Sequence, residues 1–156
     1  MVPMKKVGFR GALVYKSTSQ TIDQDDYVTF DVEYGGYDTS NIHDNANNNT
    51  RLTVPPGVSV VRLTANLDLA LAQPDDPDLF FQARIRKSTG QGPVISYGLP
   101  IVNIRKSTDV RTRINLVSAP LIVSPGDYFE LHASAHAIFT VDHTWEFTWF
   151  AMEIIK

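Results

Sequence analysis

The segment from residue 27 to residue 66 constrains the fold more than any other, because strand-like alternation flanks a long polar loop within it. Before the loop, Val28, Phe30 and Val32 alternate with polar residues, which is the two-residue period of a strand with one buried face. After the loop the alternation resumes at Leu52, and the Pro-Pro-Gly sequence that follows has the residues of a turn. The segment therefore predicts strands joined by a loop, and it argues against a helix.

The 156 residues are enough for one domain with a substantial hydrophobic core. Turn-forming residues divide the chain into short segments, and no segment keeps the apolar spacing of a helix over three turns. Many short strands at this spacing are typical of a sandwich or jelly roll, so we predict an all-β fold. The strands are expected near residues 9–16, 27–34, 50–54, 58–71, 79–87, 93–97, 101–105, 111–123, 127–133 and 144–155.

The composition of the chain excludes several classes of protein. The chain has no cysteine, so disulfides and thiolate metal sites are impossible. No apolar run approaches the roughly 20 residues that cross a bilayer as a helix, and we expect no membrane partner. The first seven residues carry two lysines but no apolar segment after them, which is unlike a secretory signal.

Short motifs follow one another in an order that is familiar from one superfamily. They are Phe9-Arg10-Gly11-Ala12, Phe30-Asp31 with Tyr37-Asp38, Arg51-Leu52-Thr53-Val54-Pro55 to Gly57-Val58, Ser124-Pro125-Gly126-Asp127-Tyr128-Phe129-Glu130-Leu131, and Phe147-Thr148-Trp149-Phe150. Together they resemble the globular head of the complement C-one-q and tumour-necrosis-factor superfamily over nearly the whole chain, and its bacterial and bacteriophage members most of all. The resemblance implies a ten-stranded jelly-roll sandwich that forms a compact homotrimer with both termini at one end.

The chain departs from the superfamily pattern in three places. Ser59 stands where an aromatic residue is usual, Pro56 is an unusual second proline, and no collagen-like stalk precedes the domain. We therefore expect a short N-terminal arm at residues 1–8 and a single jelly-roll domain at residues 9–156.

The closing segment is apolar on both faces of the strand that it is expected to form, which is typical of a strand covered on both sides. In a trimer, one face would meet the core and the other the partner subunits. The alternative is that all of these side chains belong to the core, and a platform that stacks aromatic ligands is a third possibility. The candidate interface or core residues are Trp145, Phe147, Trp149, Phe150 and Met152.

Opposite charges are segregated along the chain, which favours oriented docking between subunits. Residues 17–50 hold seven acids and no base, whereas residues 84–113 hold seven bases against Asp109 alone. An ordinary solvated face explains the same pattern. Because the net charge is −3 and Tyr97 is the only aromatic residue of the basic stretch, we expect no nucleic-acid partner.

Metal and cofactor sites are not expected. On a strand, His132 and His136 would stand roughly 13 Å apart, too far to share one ion. The Asn-rich loop around His43 has residues that cap turns and tolerate left-handed φ. Two aspartate clusters offer oxygen ligands for calcium but lack the spacing of a dedicated loop. The clusters are Asp75, Asp76 and Asp78, and Asp23, Asp25 and Asp26.

The catalytic signals are equally poor. The sequence has no G-x-S-x-G elbow, no H-E-x-x-H motif, no glycine-rich phosphate loop and no thiol. Chance Ser, His and Asp triplets arise in any sheet protein, so we expect a chain that is not an enzyme.

Two functions remain, both of them structural or binding roles. The first is a virion structural protein, a trimeric cement or decoration protein on a phage head, whose partner is the major capsid protein and whose location is the virion surface. It would attach by its base and by an arm that extends at most about 25 Å and leave its opposite end free. The candidate arm residues are Val2, Pro3, Met4, Lys5 and Lys6.

The second function is a receptor-binding or glycan-binding tip of a phage tail fibre or bacterial adhesin. It would use the exposed loop between residues 37 and 50, and the missing stalk weakens it. The candidate recognition residues are Tyr37, Asn41, His43, Asp44 and Asn48.

The absence of a metal-binding pattern in the sequence has a testable consequence. Because no spacing supports a structural ion, EDTA should leave the melting temperature of the protein unchanged. Thermal unfolding with and without the chelator measures this, and a fall of about ten degrees would reveal a metal in the aspartate loops.

Overall fold

The structure is a computed structural model that describes residues 8–35, 37–71, 80–89, 101–105, 111–143 and 146–156. Within these residues the chain forms eleven β-strands and no helix. They are β1 (Gly11–Tyr15), β2 (Gln20–Tyr27), β3 (Val32–Glu33), β4 (Arg51–Thr53), β5 (Val60–Leu71), β6 (Phe80–Ser88), β7 (Ile101–Arg105), β8 (Arg111–Val117), β9 (Leu121–Ile122), β10 (Tyr128–Val141) and β11 (Trp149–Ile154). A search of the described segments for a membrane-spanning helix finds none.

The strands form one curled antiparallel network with two layers. The first layer has the order β3-β1-β11-β5, and β8 and β9 pair with the other edge of β5. In the second layer β10 pairs with β6 on one side and with β2 and β4 on the other, and β7 follows β6. The layers join where the last residues of β10 pair with the last residues of β5. Successive strands from β4 to β11 cross repeatedly between layers, which is typical of a jelly roll.

Both layers bury one face in a common core, as the alternation of the sequence predicts. In β5, Val61, Leu63, Ala65 and Leu67 point inward and are buried, while the residues that alternate with them face away from the core. Phe30 of the segment that precedes the loop meets Phe150 of β11, with ring centroids 5.9 Å apart. The core therefore depends on contacts between residues far apart in the sequence.

The two ends of the described chain lie side by side, and we call this end of the domain the base. Gly11 at the start of β1 pairs with Glu153 near the end of β11. The Ile154 N–H donates to the Arg10 carbonyl at 2.8 Å, and the Ser59 N–H donates to the Lys156 carbonyl at 2.8 Å. This arrangement is the one that the superfamily resemblance implies.

Glycine is required where β1 begins. Gly11 has a φ of +150°, and a Cβ atom there would collide with the carbonyl oxygen of Met152. The close approach of β1 to β11 therefore explains the glycine of the Phe-Arg-Gly-Ala motif.

The strand expected at residues 27–34 is only partly correct. Val28 and Phe30 are buried as predicted, but the regular strands around them are β2, which ends at Tyr27, and the two residues of β3. Sequence reasoning missed β2 because five of its eight residues are exposed, and Ile22 is the single buried apolar side chain. A strand of this kind has no apolar alternation to reveal it.

The closing strand is shorter than predicted. It begins at Trp149 rather than at residue 144, because residues 146–148 form a turn in which the Thr148 hydroxyl accepts a hydrogen bond from the Asp68 N–H at 3.2 Å. Phe147 lies in that turn, outside the strand. Trp145 lies outside the described residues.

Two other strands have bounds that differ from those expected from the sequence. The strand expected at residues 111–123 is divided into β8 and β9, since the stretch between them contains Pro120 and Ser118, whose hydroxyl accepts from the Leu63 N–H. β10 continues past residue 133 to Val141, with an irregularity in its pairing to β2 between Ser134 and Ile138. The strand expected at residues 93–97 lies outside the described part.

The burial of Phe150 predicts that Phe150→Ala destabilises the fold. Truncating this fully buried ring should lower the free energy of unfolding by about 3–5 kcal/mol. Ile138→Ala is the matched control, because Ile138 lies on β10 in the second layer and is 45% exposed, so its truncation removes less buried area. Urea denaturation of both variants provides the comparison, and equal stabilities would contradict the placement of Phe150.

Candidate functional site

The outer face of the first layer is unusual for a sheet face exposed to solvent, because its middle is apolar and concave. It contains a cavity of about 440 Å³ with a largely apolar lining and one carboxylate at its edge, formed by Leu13, Tyr15, Tyr34, Thr64, Trp149, Ala151 and Glu146. Beside it, Val117 on β8 is 63% exposed. Apolar surface of this kind on a soluble protein is a common mark of an interaction site.

The residues proposed for the closing strand lie on both sides of the first layer, some in the core and some on the outer face. Phe150 and Met152 are fully buried and belong to the core. Trp149 points the other way and lines the outer cavity. Phe147, in the preceding turn, packs under the Arg113 guanidinium, which lies 3.6 Å from the ring centroid. The alternative that all of these side chains are core is therefore wrong for Trp149.

One end of the same face is polar. Asn66 and Asp68 of β5 point outward yet are 8% and 1% exposed. Asn66 Oδ1 and both carboxylate oxygens of Asp68 have no hydrogen-bond donor within the described residues. Two arginines of β8 approach Asp68 Oδ2, Arg111 at 3.3 Å and Arg113 at 3.9 Å. Arg111 also pairs with Asp142.

The outer face of the second layer carries a network of charged and aromatic side chains. Glu130 of β10 accepts a hydrogen bond from the Thr50 hydroxyl at 2.7 Å and pairs with Arg51 at 3.3 Å. The Arg51 guanidinium also lies 4.2 Å from the ring centroid of Tyr128. These contacts bury Glu130 although it faces away from the core.

His132 occupies the centre of this network. Arg84 Nε donates to its Nδ1 at 3.3 Å, so the ring proton is on Nε2, which lies 2.5 Å from Asp25 Oδ1. Burial, followed by the positive charge of Arg86, lowers the pKa of His132 to about 4. The imidazole is therefore neutral at pH 7. His136 lies on the same strand, but its side chain is outside what the structure describes.

The segregated charges meet within one chain. Asp25, from the acidic stretch, and Arg84, from the basic stretch, both contact His132. Farther along β6, Lys87 pairs with Asp127 at 2.7 Å. Ion pairing inside the chain thus accounts for much of a pattern that also suggested docking between subunits.

The loop between residues 37 and 50 is held by hydrogen bonds between its own side chains and backbone, as its Asx residues predict. Asp38 accepts hydrogen bonds from the N–H groups of Ser40, Ile42 and His43, and Asn41 has a φ of +52°. At the tip, Asp44 accepts from the N–H groups of Ala46 and Asn47, and these bonds lower the pKa of its carboxyl.

The prediction that His43 is an exposed recognition residue is wrong. Its side chain is fully buried, with Nδ1 3.7 Å from Glu33 and Nε2 3.5 Å from the Asn49 carbonyl. Tyr37, Asn41, Asp44 and Asn48 are exposed. His43 was included because it lies among polar neighbours, but together with the buried Ile42 it anchors the loop.

The loop also starts beside the base rather than at the end of the domain opposite the termini. The rings of Tyr37 and Phe9 have centroids 5.1 Å apart, and the Thr39 N–H donates to the Gly11 carbonyl at 3.0 Å. The two surfaces that the two functions would use are therefore neighbours. The arm residues, Val2 to Lys6, lie outside the described part.

A Ser, His and Asp constellation occurs in the described part of the chain, and its geometry is not that of a catalytic triad. The Ser19 hydroxyl lies 2.8 Å from His143 Nδ1, and Asp142 Oδ1 lies 3.2 Å from the same nitrogen. A triad needs the serine and the carboxylate on different ring nitrogens, so that the proton passes through the imidazole. Here both groups approach one nitrogen of an exposed ring.

The aspartate clusters are only partly described. Asp75, Asp76 and Asp78 lie outside the described residues, whereas Asp23, Asp25 and Asp26 lie on β2. Asp25 contacts His132, and Asp26 accepts a hydrogen bond from the Tyr27 N–H. Among the residues with described positions, no group of three or more histidine or acidic side chains is arranged to hold a metal ion.

Comparison with known proteins defines the fold and leaves the family open. The sequence matches no protein-family profile and no curated protein. The structure is similar to that of Eiger TNF from S. frugiperda, with a TM-score of 0.68 and 11% sequence identity over 95% of this chain and 93% of that chain. The chain therefore has the jelly-roll fold of the tumour necrosis factors.

The environment of His132 predicts a pH dependence of stability. Its pKa of about 4 lies below the ordinary value of 6.5, so the unfolded chain takes up a proton first as the pH falls. The contribution is fully present above about pH 6.5 and is lost as the pH approaches about 4. His132→Gln should therefore flatten the fall in stability between these limits.

His143→Gln is the matched control for this measurement, because the side chain of His143 is 54% exposed. Urea unfolding at several pH values compares the three proteins. An unchanged pH slope in His132→Gln would contradict the neutral state of the buried imidazole.

Proposed function

We propose that the chain is a non-enzymatic, homotrimeric structural protein of a virion surface, which cements or decorates a phage capsid. The observation that carries the proposal is the apolar, concave outer face of the first layer, which needs a second protein surface to cover it. The resemblance to bacteriophage members of the superfamily supplies the virion setting.

The trimer is supported by an apolar edge next to an apolar cavity. Val117 and Ile122, on β8 and β9 at one side of the first layer, are 63% and 86% exposed. Trp149 lines the cavity on β11, on the other side of β5. A rotation that places the β8 edge of one copy over the cavity of the next buries both, and a closed ring of such contacts is cyclic.

Attachment to a capsid would use the base, which also has exposed apolar side chains. Phe9, beside the N-terminal end, and Ile155, beside the C-terminal end, are 39% and 45% exposed and line one shallow depression. Because the described chain begins at Gly8 on this surface, we expect the residues before it to extend along the major capsid protein.

The alternative function is a receptor-binding or glycan-binding tip. The rigid, exposed turn from Asp44 to Asn48 favours it, because its side chains present amide and carboxylate groups on a preformed backbone. Rigid polar turns bind ligands at a low entropic cost. This turn is small, however, and the buried Ile42 and His43 remove the preceding residues from the binding surface.

A charge placed in the outer cavity should dissociate the trimer. Thr64→Arg fills the cavity beside Tyr15 and Trp149 with a large charged side chain, whose bulk and desolvation oppose a covering surface even with Glu146 in the lining. We expect the parent protein to sediment as a trimer that buries more than about 2,000 Å² in total, and the variant as a monomer. Ser134→Arg, on the outer face of the second layer, is the matched control and should stay trimeric. A monomeric parent would contradict the proposal.

Two further variants distinguish decoration from recognition. Deleting residues 2–6 should prevent incorporation into particles, whereas replacing residues 45–48 by glycine and serine should preserve it. Incorporation is measured on purified particles, and host adsorption is measured on the same preparations. Normal incorporation of the deletion, with adsorption lost in the loop variant alone, would overturn the decoration role.

The proximity of the loop to the base requires a control. Phe9 and Tyr37 are in contact, so a loop change that disturbs Tyr37 would also disturb the base. The loop variant therefore keeps Asp38, Ile42, His43 and Asp44, whose contacts anchor the loop.

A further inference from the structure

The outer cavity of the first layer has aromatic walls. Tyr15 of β1 is opposite Trp149 of β11 in the register of the two strands, and both side chains line the cavity. The ring of Tyr34, which also lines it, meets the ring of Tyr15 edge-on, with centroids 6.3 Å apart and planes at 68°. Three aromatic rings from different segments thus border one space. The faces of such rings carry negative potential and attract cations.

A carboxylate at the edge of the cavity is unpaired. Glu146 is exposed and belongs to the lining, and within the described residues its side chain makes no hydrogen bond or ion pair. Two other carboxylates of the same face are matched by arginines. Glu153 pairs with Arg62 at 3.5 Å, and Asp68 lies 3.3 Å from Arg111. The cavity therefore combines ring faces with a negative charge that the chain leaves uncompensated.

The lining discriminates among the cations that this charge could attract. A metal ion is bound by several oxygen ligands, whereas Glu146 is the one carboxylate among the described residues of the lining. Ammonium and guanidinium groups carry N–H donors that need acceptors when they are buried, and the lining offers few besides the hydroxyls of Tyr15, Tyr34 and Thr64. A cation whose charge is surrounded by methyl groups has no such donors. The lining therefore favours a quaternary ammonium group.

We propose that the cavity binds a small quaternary ammonium cation of the choline type, with its methyl groups against the three aromatic rings and its charge beside Glu146. The volume of about 440 Å³ is in the range of small-molecule sites. The site goes beyond the proposed function and does not depend on it. In the proposed trimer a neighbouring copy would close over the cavity and retain the cation, whereas in a monomer the cavity would exchange it freely with solvent.

The charge of Glu146 favours a free cation over a lipid headgroup with the same trimethylammonium group. In phosphatidylcholine that group is joined to a phosphate, and the negative phosphate would lie near the Glu146 carboxylate at the edge of the cavity. Like charges placed side by side at a binding site weaken the interaction. Free choline carries no anionic group, so it gains the attraction of the carboxylate without this repulsion.

Proton NMR of choline, titrated with the protein, tests the site. The trimethylammonium resonance should move upfield on binding, because its protons lie over the faces of aromatic rings, and the titration gives the dissociation constant. Two analogues define the chemistry: the neutral carbon isostere of choline has its shape without the charge, and ethanolamine has the charge without the methyl groups. Both should bind about tenfold more weakly than choline or worse. Equal affinities for choline and its neutral isostere would overturn the recognition of a cation.

Two substitutions locate the site. Glu146→Gln keeps the size of an exposed side chain and removes its charge, so it should weaken choline binding by about tenfold and leave the neutral isostere unaffected. Glu153→Gln is the matched control, because Glu153 is paired with Arg62 and should not affect choline. Tyr15→Leu keeps an apolar side chain in the lining and should reduce the upfield shift. Equal effects of the two glutamine variants would contradict the assigned position of the cation.

Two further measurements separate this inference from its alternatives. Phosphatidylcholine vesicles should not sediment with the protein, and cosedimentation that choline abolishes would assign the cavity to a membrane surface and overturn the free cation. Sedimentation of the NMR samples gives the oligomeric state. A trimer that leaves the choline resonance unshifted would overturn this inference and leave the proposed trimer standing. A monomer that shifts it would support the site and overturn the trimer.

Discussion

The structure depends on β11, which lies between β1 and β5 in the middle of the first layer and carries apolar side chains on both faces, with Glu153 near the end of the outward one. Its inward residues, Phe150 and Met152, complete the core, and its outward residue Trp149 lines a cavity. A central strand cannot present an aromatic side chain outward without creating an apolar surface on the sheet. The same strand that closes the fold thus creates the apolar surface on which the proposed trimer rests.

That surface has a graded composition along the strands. Near the base, Arg62 pairs with Glu153; the middle is apolar around Thr64 and Trp149; and the far end holds Asp68 with its arginines. Apolar area favours association, while the polar ends fix orientation, as in many specific interfaces. The second layer differs, because its outward charges are paired within the chain around Glu130 and His132.

The sequence predicts the layers of this fold better than its edges. Alternation identified β5 and the buried Val28 and Phe30, and the turn at residues 124–127 is present, with Gly126 at a φ of +87°. Alternation did not identify β2, because its exposed acidic residues carry no periodic signal, although pairing with β10 makes it a strand. Long-range pairing overrides local pattern most readily in edge strands of this kind.

The candidate site was partly accessible from the sequence for a similar reason. The two-sided apolar pattern predicted a last strand that is covered on both faces, but the assignment of Trp149 to the outer side and Phe150 to the core required the position of the neighbouring strands. His43 was placed on the surface because sequence polarity does not reveal its contacts with Glu33 and Asn49. Asn66 and Asp68 gave no signal, since unmatched acceptors are recognised only in three dimensions.

The central claim, that the outer face of the first layer is covered by other copies of the chain, is tested most directly by thiol labelling of single-cysteine variants. Thr64→Cys reports on that face, and Ser134→Cys reports on the outer face of the second layer. In the native protein we predict that a maleimide labels position 134 readily and position 64 slowly, and that both label equally after denaturation. Equally rapid labelling of the two positions in the native protein would show that the cavity is open to solvent and would contradict the account.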